Sequence, residues 1–161
     1  MAATVTVRVF TSTDAGTMSG AVSGIDFESA DNAVNSLDNR KTNPITVSEN
    51  SYEKWLRARV DAAPDNYVRA FKVWGDGGVQ ANTALYYGIT DIGITPVATK
   101  SAVAVHNFDA QVVGAKATWD DTEYAAETDL TDFLVFQLCT VATATPGNWT
   151  QETINYEYEE A

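Results

Sequence analysis

Near the start of the chain Val5, Val7 and Val9 alternate with Thr4, Thr6 and Arg8. A period of two places the valines on one face and the polar residues on the other, so 4–10 is predicted to be a half-buried strand. Residues 11–20, rich in Ser, Thr, Gly and Asp, are expected to turn, and 21–27 to form a short strand with Gly24 at a bulge. The polar stretch 29–43 predicts a long loop with one helical turn around 33–37, and 45–47 predicts a brief strand after Pro44. Residues 52–60 have helix-compatible propensities, but their length and their aromatic and β-branched flanks favour a strand. In 67–74 the alternation returns. Val68, Ala70, Lys72 and Trp74 are expected on one face, and Tyr67, Arg69, Phe71 and Val73 on the other, as in the central strand of a sandwich. A further strand is predicted at 85–89 and weaker ones at 102–106 and 112–119, followed by an acidic loop over 120–132. The run 133–141 is apolar on both faces, which marks a fully buried strand. The last run, 150–160, sets Ile154, Tyr156 and Tyr158 against Asn155, Glu157 and Glu159. Gly, Pro, Asn and Asp punctuate these runs, and no long amphipathic helix interrupts them. The pattern therefore predicts an all-β fold, a single β-sandwich or jelly roll of about eight or nine short strands.

Composition adds size and sign. A chain of 161 residues suits one domain, 1–161, large enough to bury a core without disulfide or metal. With 22 acidic and 10 basic residues the net charge is −12. Such a field repels phosphate, so direct nucleic-acid binding is disfavoured. The same acidity suits a solvated surface, a saline medium or a basic partner, and the sequence leaves these open. The first residues lack the basic and apolar regions of a secretion signal, and no apolar run nears the roughly 18 residues of a membrane span. Neither export nor membrane insertion is expected, and the glycosylation sequon Asn148-Trp149-Thr150 is read as incidental.

Candidate chemistry is sparse. Cys139, the one cysteine, lies in an apolar run and reads as a small buried hydrophobe; His106, the one histidine, reads as the polar end of a strand. Together they supply too few ligands for zinc, and burial disfavours a Cys–His nucleophile. Glu53, Glu123 and Glu152 near Trp55, Trp119 and Trp149 are the candidate carboxylates and platforms of a sugar cleft, although scattered Trp and Glu in an acidic β-protein are more often core and solvated face. Gly75-Asp76-Gly77-Gly78 lacks the lysine and helix of a phosphate loop, and Asp120, Asp121 and Asp129 read as a solvated acidic loop. No catalytic residue, metal or cofactor is implied, and the chain is not expected to be an enzyme. One constellation stands apart. Lys54, Trp55, Arg57 and Arg59, with Arg69, Lys72 and Trp74, and Arg40 or Lys41 nearby, would form a basic, aromatic stripe if 52–60 and 67–74 pair. Arg and aromatic residues favour interfaces, so these are candidate partner contacts. Pairing with Asp and Glu of neighbouring strands is the other reading.

Gly24-Ile-Asp-Phe-Glu-Ser-Ala-Asp31, Ser51-Tyr-Glu-Lys-Trp-Leu-Arg-Ala-Arg59, Leu85-Tyr-Tyr-Gly-Ile89, Thr143-Ala-Thr-Pro-Gly147 and Gln151-Glu-Thr-Ile-Asn-Tyr-Glu-Tyr158 carry a further signal. In texture and short phrases over most of its length, the chain resembles the small β-rich virion proteins of tailed bacteriophages, among them capsid decoration (cement) proteins. The resemblance implies a β-sandwich subunit, often trimeric, made in the host cytoplasm and bound outside the capsid to the major capsid protein or other virion subunits. Its alternatives are a tail or other head-associated component, and a carbohydrate- or surface-binding β-sandwich with exposed Trp and Tyr.

Overall fold

The computed structural model describes residues 2–33, 36–77, 81–145 and 153–161. Its strands are β1 (Thr4–Thr11), β2 (Thr17–Ala21), β3 (Lys54–Ala62), β4 (Val68–Gly75), β5 (Thr83–Thr90), β6 (His106–Asn107), β7 (Ala117–Asp120), β8 (Phe133–Thr140) and β9 (Ile154–Glu160). One short helix, α1 (Leu37–Thr42), starts at Ser36, whose side chain accepts from the Asn39 N–H. All strand pairs are antiparallel, in two sheets ordered β2-β1-β3-β8-β5-β6 and β7-β4-β9. The expected all-β sandwich is what forms, with β4 central in its own sheet.

The alternation in β1, β3 and β8 sends Val9, Leu56, Ala58, Leu134 and Phe136 to the inner face, against Val68, Phe71, Val73 and Trp119 of the smaller sheet. The opposite face of the larger sheet is buried too. Phe10, Trp55, Phe133 and Val135 form a second cluster there with Ala15 and Ala104. Double-sided burial is why 133–136 reads as unbroken apolar sequence. The cover on that outer face is coil: Gly88 of β5 lies so close under Val103 that an added Cβ would meet its carbonyl oxygen at 1.9 Å, and Gly93 sits against the Phe133 ring. Gln137, buried on the same side, accepts from the Ser101 N–H and donates to the carbonyls of Ser51 and Thr99. One side chain thus ties the coil to β8.

Several expected elements fall elsewhere. Residues 21–27 and 45–47 are not strands; β2 ends at Ala21, and Val22, Ile25, Phe27 and Ile45 pack on the core as coil. The turn region 11–20 holds a one-turn helix and β2, and the helical turn forms at Leu37–Thr42 rather than 33–37. The strands expected at 102–106 and 112–119 shrink to β6 and β7. The two-face reading of 67–74 is corrected by a bulge. Ala70 adopts φ +53° and the register with β9 slips between Arg69 and Lys72, so Val68 joins Phe71 and Val73 in the core. In β9, Ile154 and Tyr158 pack on the core as their shared face predicts, while Tyr156 stays exposed.

Candidate functional site

The basic and aromatic residues do not make one stripe, because β3 and β4 belong to different sheets. Lys54 and Trp55, 1% and 0% exposed, offer no surface. The Lys54 ammonium donates to the Asn32 carbonyl at 2.7 Å and stands 3.7 Å from Glu28. Burial pulls its pKa below the usual lysine value, opposed by the charges of Glu28, Asp31 and Asp26. Trp55 Nε1 donates to Glu53 at 2.9 Å, and its ring meets Phe133 edge-on. Arg57 lies over the Phe133 ring and donates to the carbonyls of Thr131 and Leu130. Arg8 and Arg59 converge on Asp61 at 3.0 and 2.6 Å. The Thr6 hydroxyl and these two guanidiniums hold the Asp61 carboxyl below its ordinary pKa. On the other sheet Arg69 pairs with Glu123 and Glu159, and Lys116 rather than Lys72 covers Trp74, at 4.2 Å. Most of these cations are fixed within the chain.

The carboxylate–tryptophan pairs do not line a cleft. Glu53 and Trp55 are buried together, Trp119 donates to the Asp132 carbonyl from within the core, and Glu123 is exposed beside Arg69. Glu152, Trp149 and the sequon lie outside the described residues. Cys139, opposite Ala84, is half-buried, and burial pushes its thiol pKa up; His106 is exposed and packs on Tyr87. The acidic loop is built on its own carboxylates. Asp129 accepts from the N–H groups of Ala125 and Ala126, and Asp120 from those of Thr122 and Asp132. Among the described residues no group of His, Cys, Asp and Glu could hold a metal ion, and no helix is long and apolar enough to cross a membrane.

Two features remain that the sequence reading did not single out. The first follows from strand count. Three strands cover only about half the width of six at the usual spacing of about 4.8 Å. Residues 22–27 and 40–47 lie over part of the remainder, where an open crevice of about 1190 Å3 runs between the sheets. Val7, Leu56, Leu85, Leu134 and Leu138 form one wall; Val73, Trp119 and Ile154 form the other.

The second feature is an exposed aliphatic stretch. Six of the eleven large hydrophobics exposed among the described residues lie between 89 and 113: Ile89, Ile92, Ile94, Val105, Val112 and Val113. Ile92, Val105 and Val113 are 65%, 52% and 72% exposed. Part of this segment runs along β5, where Val103 crosses Gly88 and His106 pairs with Tyr87. Periodicity could not mark it as a surface, because short alternations such as Ala102-Val103-Ala104-Val105 read as half-buried strands.

Set against protein-family models, curated proteins and solved structures, the chain matches no family, no curated relative and no solved structure.

Proposed function

We propose that the chain is a virion structural subunit of a tailed bacteriophage, of the capsid decoration type, which binds the outside of an assembled head and stabilises it. The supporting observation is the aliphatic segment 89–113, whose Ile92, Val105 and Val113 face solvent while the polar residues around Gln137 and Asp120 are committed to internal hydrogen bonds. Isolated exposed aliphatics are ordinary, but six within the 25 residues 89–113 suit a surface for another protein. The partner in this reading is the major capsid protein. Its lattice repeats one site many times, so binding energy at each copy adds to the stability of the shell by mass action.

Trp119 and Trp55 are buried in the two cores, so two of the aromatic platforms that a glycan-binding module would need are inaccessible. The test is co-sedimentation of purified protein with heads assembled from the major capsid protein of the same genome. Wild-type protein is expected to pellet with the heads and raise their melting temperature. The variants Ile92→Asp, Val105→Asp and Val113→Asp should each weaken binding at least tenfold with unchanged circular dichroism. Absence of co-sedimentation would sink the decoration role, and labelling at the tail in particle images would move the subunit there.

A further inference from the structure

Lys54 and Glu28 meet where the coil around residue 28 lies against the start of β3. The Tyr52 N–H donates to the Glu28 carbonyl at 2.9 Å, and the Ser29 N–H donates to the Asn43 carbonyl at 2.9 Å. The peptide after Glu28 is thus held at both of its polar groups. Both side chains are buried, with Glu28 and Lys54 each 1% exposed. The Lys54 ammonium donates to the Asn32 carbonyl at 2.7 Å but stands 3.7 Å from Glu28 Oε1, beyond hydrogen-bond length. Neither Glu28 oxygen accepts a hydrogen bond among the described residues. An ion pair buried this deeply offsets its desolvation only through close geometry and further hydrogen bonds on the carboxylate. This pair has neither.

We propose that Lys54 and Glu28 condense into an intramolecular amide that ties the coil to the start of β3. Passage of one ammonium proton to the carboxylate leaves a neutral amine beside a neutral carboxyl and removes both buried charges. The nitrogen lone pair then attacks Glu28 Cδ, one bond from the oxygen it stands beside. A C–N bond forms and the Cδ–OH bond breaks; the nitrogen's proton goes to the departing hydroxyl, and one water leaves. No oxidant, metal or activated co-reactant enters the balance. Two features of the site favour the step. Burial pulls the Lys54 pKa down, which brings the nucleophilic amine within reach, and two groups held side by side react as though highly concentrated. The product carries no charge, and its single N–H keeps the Asn32 carbonyl as acceptor. Asp31 is the competing carboxyl, since its Oδ1 is also buried without a partner and its charge also acts on Lys54. Its Oδ2, however, holds the Ser12 N–H at 2.9 Å, so Glu28 is the freer of the two.

The experiment is mass spectrometry of the whole chain, purified folded and then denatured. The expected mass is that of the sequence less one water. Trypsin should then fail to cleave after Lys54 and release one branched peptide, 9–40 joined to 42–57, with fragmentation placing the bond between Glu28 and Lys54. Neither peptide depends on whether Met1 is retained. A full sequence mass, with cleavage after Lys54, overturns the proposal and leaves a plain buried ion pair. A bond located on Asp31 overturns the assignment to Glu28. Lys54→Met, which keeps the length of the side chain but removes the amine, and Glu28→Ala should each restore the unlinked mass. A water still missing from either variant overturns the assigned pair. If neither variant folds, the wild-type mass and its fragment spectrum still decide.

Discussion

At Asp120 one carboxylate closes the loop between β7 and β8. It accepts the N–H of Thr122 and of Asp132, each at 2.7 Å, and the Tyr124 hydroxyl at 2.6 Å. Burial opposes its charge, but the Tyr124 hydroxyl and the two N–H groups together hold its pKa below the ordinary value. The same contact, added to burial, raises the pKa of Tyr124, so the tyrosine stays a donor. Because the native carboxyl has the lower pKa, the unfolded chain binds its proton more readily. The stabilisation is complete above the unfolded value of about 3.9 and is lost as pH falls through the native one. Asp120→Asn should therefore cost about 1.5–3 kcal/mol at neutral pH, the range for hydrogen bonds to a charged group. Urea midpoints measured from pH 7 to pH 3 should show wild type and variant converging in acid. A gap that stays constant across that range would mean the charge contributes nothing.

Among the elements, β4 carries the sharpest departure from a simple pattern. Ala70 sits at φ +53°, where a side chain costs about 1–2 kcal/mol that glycine avoids. Glycine gives back about 0.5–1 kcal/mol through chain entropy, so Ala70→Gly should gain about 0.5 kcal/mol. Ala70→Val, β-branched at the same φ, should lose at least about 1 kcal/mol. Chemical denaturation of both variants checks the sign, and a stabilising valine would show that the bulge is not held in solution. Nothing in 67–74 announced this bulge, since Ala70 is neither Gly nor Asn; its cause is the need to bring both Val68 and Phe71 inward. The strands that sequence located well, β1, β3, β8 and β9, are those whose side chains meet a continuous sheet on a regular period. Residues 21–27 and 45–47 were misleading for the opposite reason. Their Val22, Ile25, Phe27 and Ile45 are apolar because they plug the uncovered part of a wider sheet, which requires burial but no hydrogen-bonded ladder. The cavity and the aliphatic segment were illegible because each depends on the mismatch of two sheets or on coil packing. The basic stripe failed on topology: adjacency in sequence suggested that β3 and β4 pair, but β3 pairs with β1 and β8.

For the whole molecule the surplus of acid decides how stability responds to salt. The cations that could balance it are few and mostly engaged: Arg8 and Arg59 on Asp61, Arg40 on Asp26, Arg69 on Glu123 and Glu159, and Lys116 on Glu157 at 2.6 Å. The exposed pairs of Arg69 are worth about 0–1 kcal/mol each, and the part-buried ones on Asp61 and Asp26 are screened less, so salt removes little. Repulsion among the remaining carboxylates is present in the compact state and relaxes when the chain expands. Salt shortens the Debye length to about 10 Å at 0.1 M, below the separation of many of these charges. The two effects have opposite signs, and with 22 acidic residues against 10 basic the repulsion is the larger. The melting temperature should therefore rise as sodium chloride goes from about 10 mM to about 150 mM, then flatten once the charges are screened. A parallel series in sucrose controls for general exclusion from the protein surface, which grows with concentration and does not saturate in this range. At pH 4, where many exposed carboxylates are partly protonated, the same salt series should give a smaller rise. A melting temperature that falls with salt at pH 7 would show instead that the ion pairs outweigh the surplus, and that the acidity of this chain is not a load on its fold.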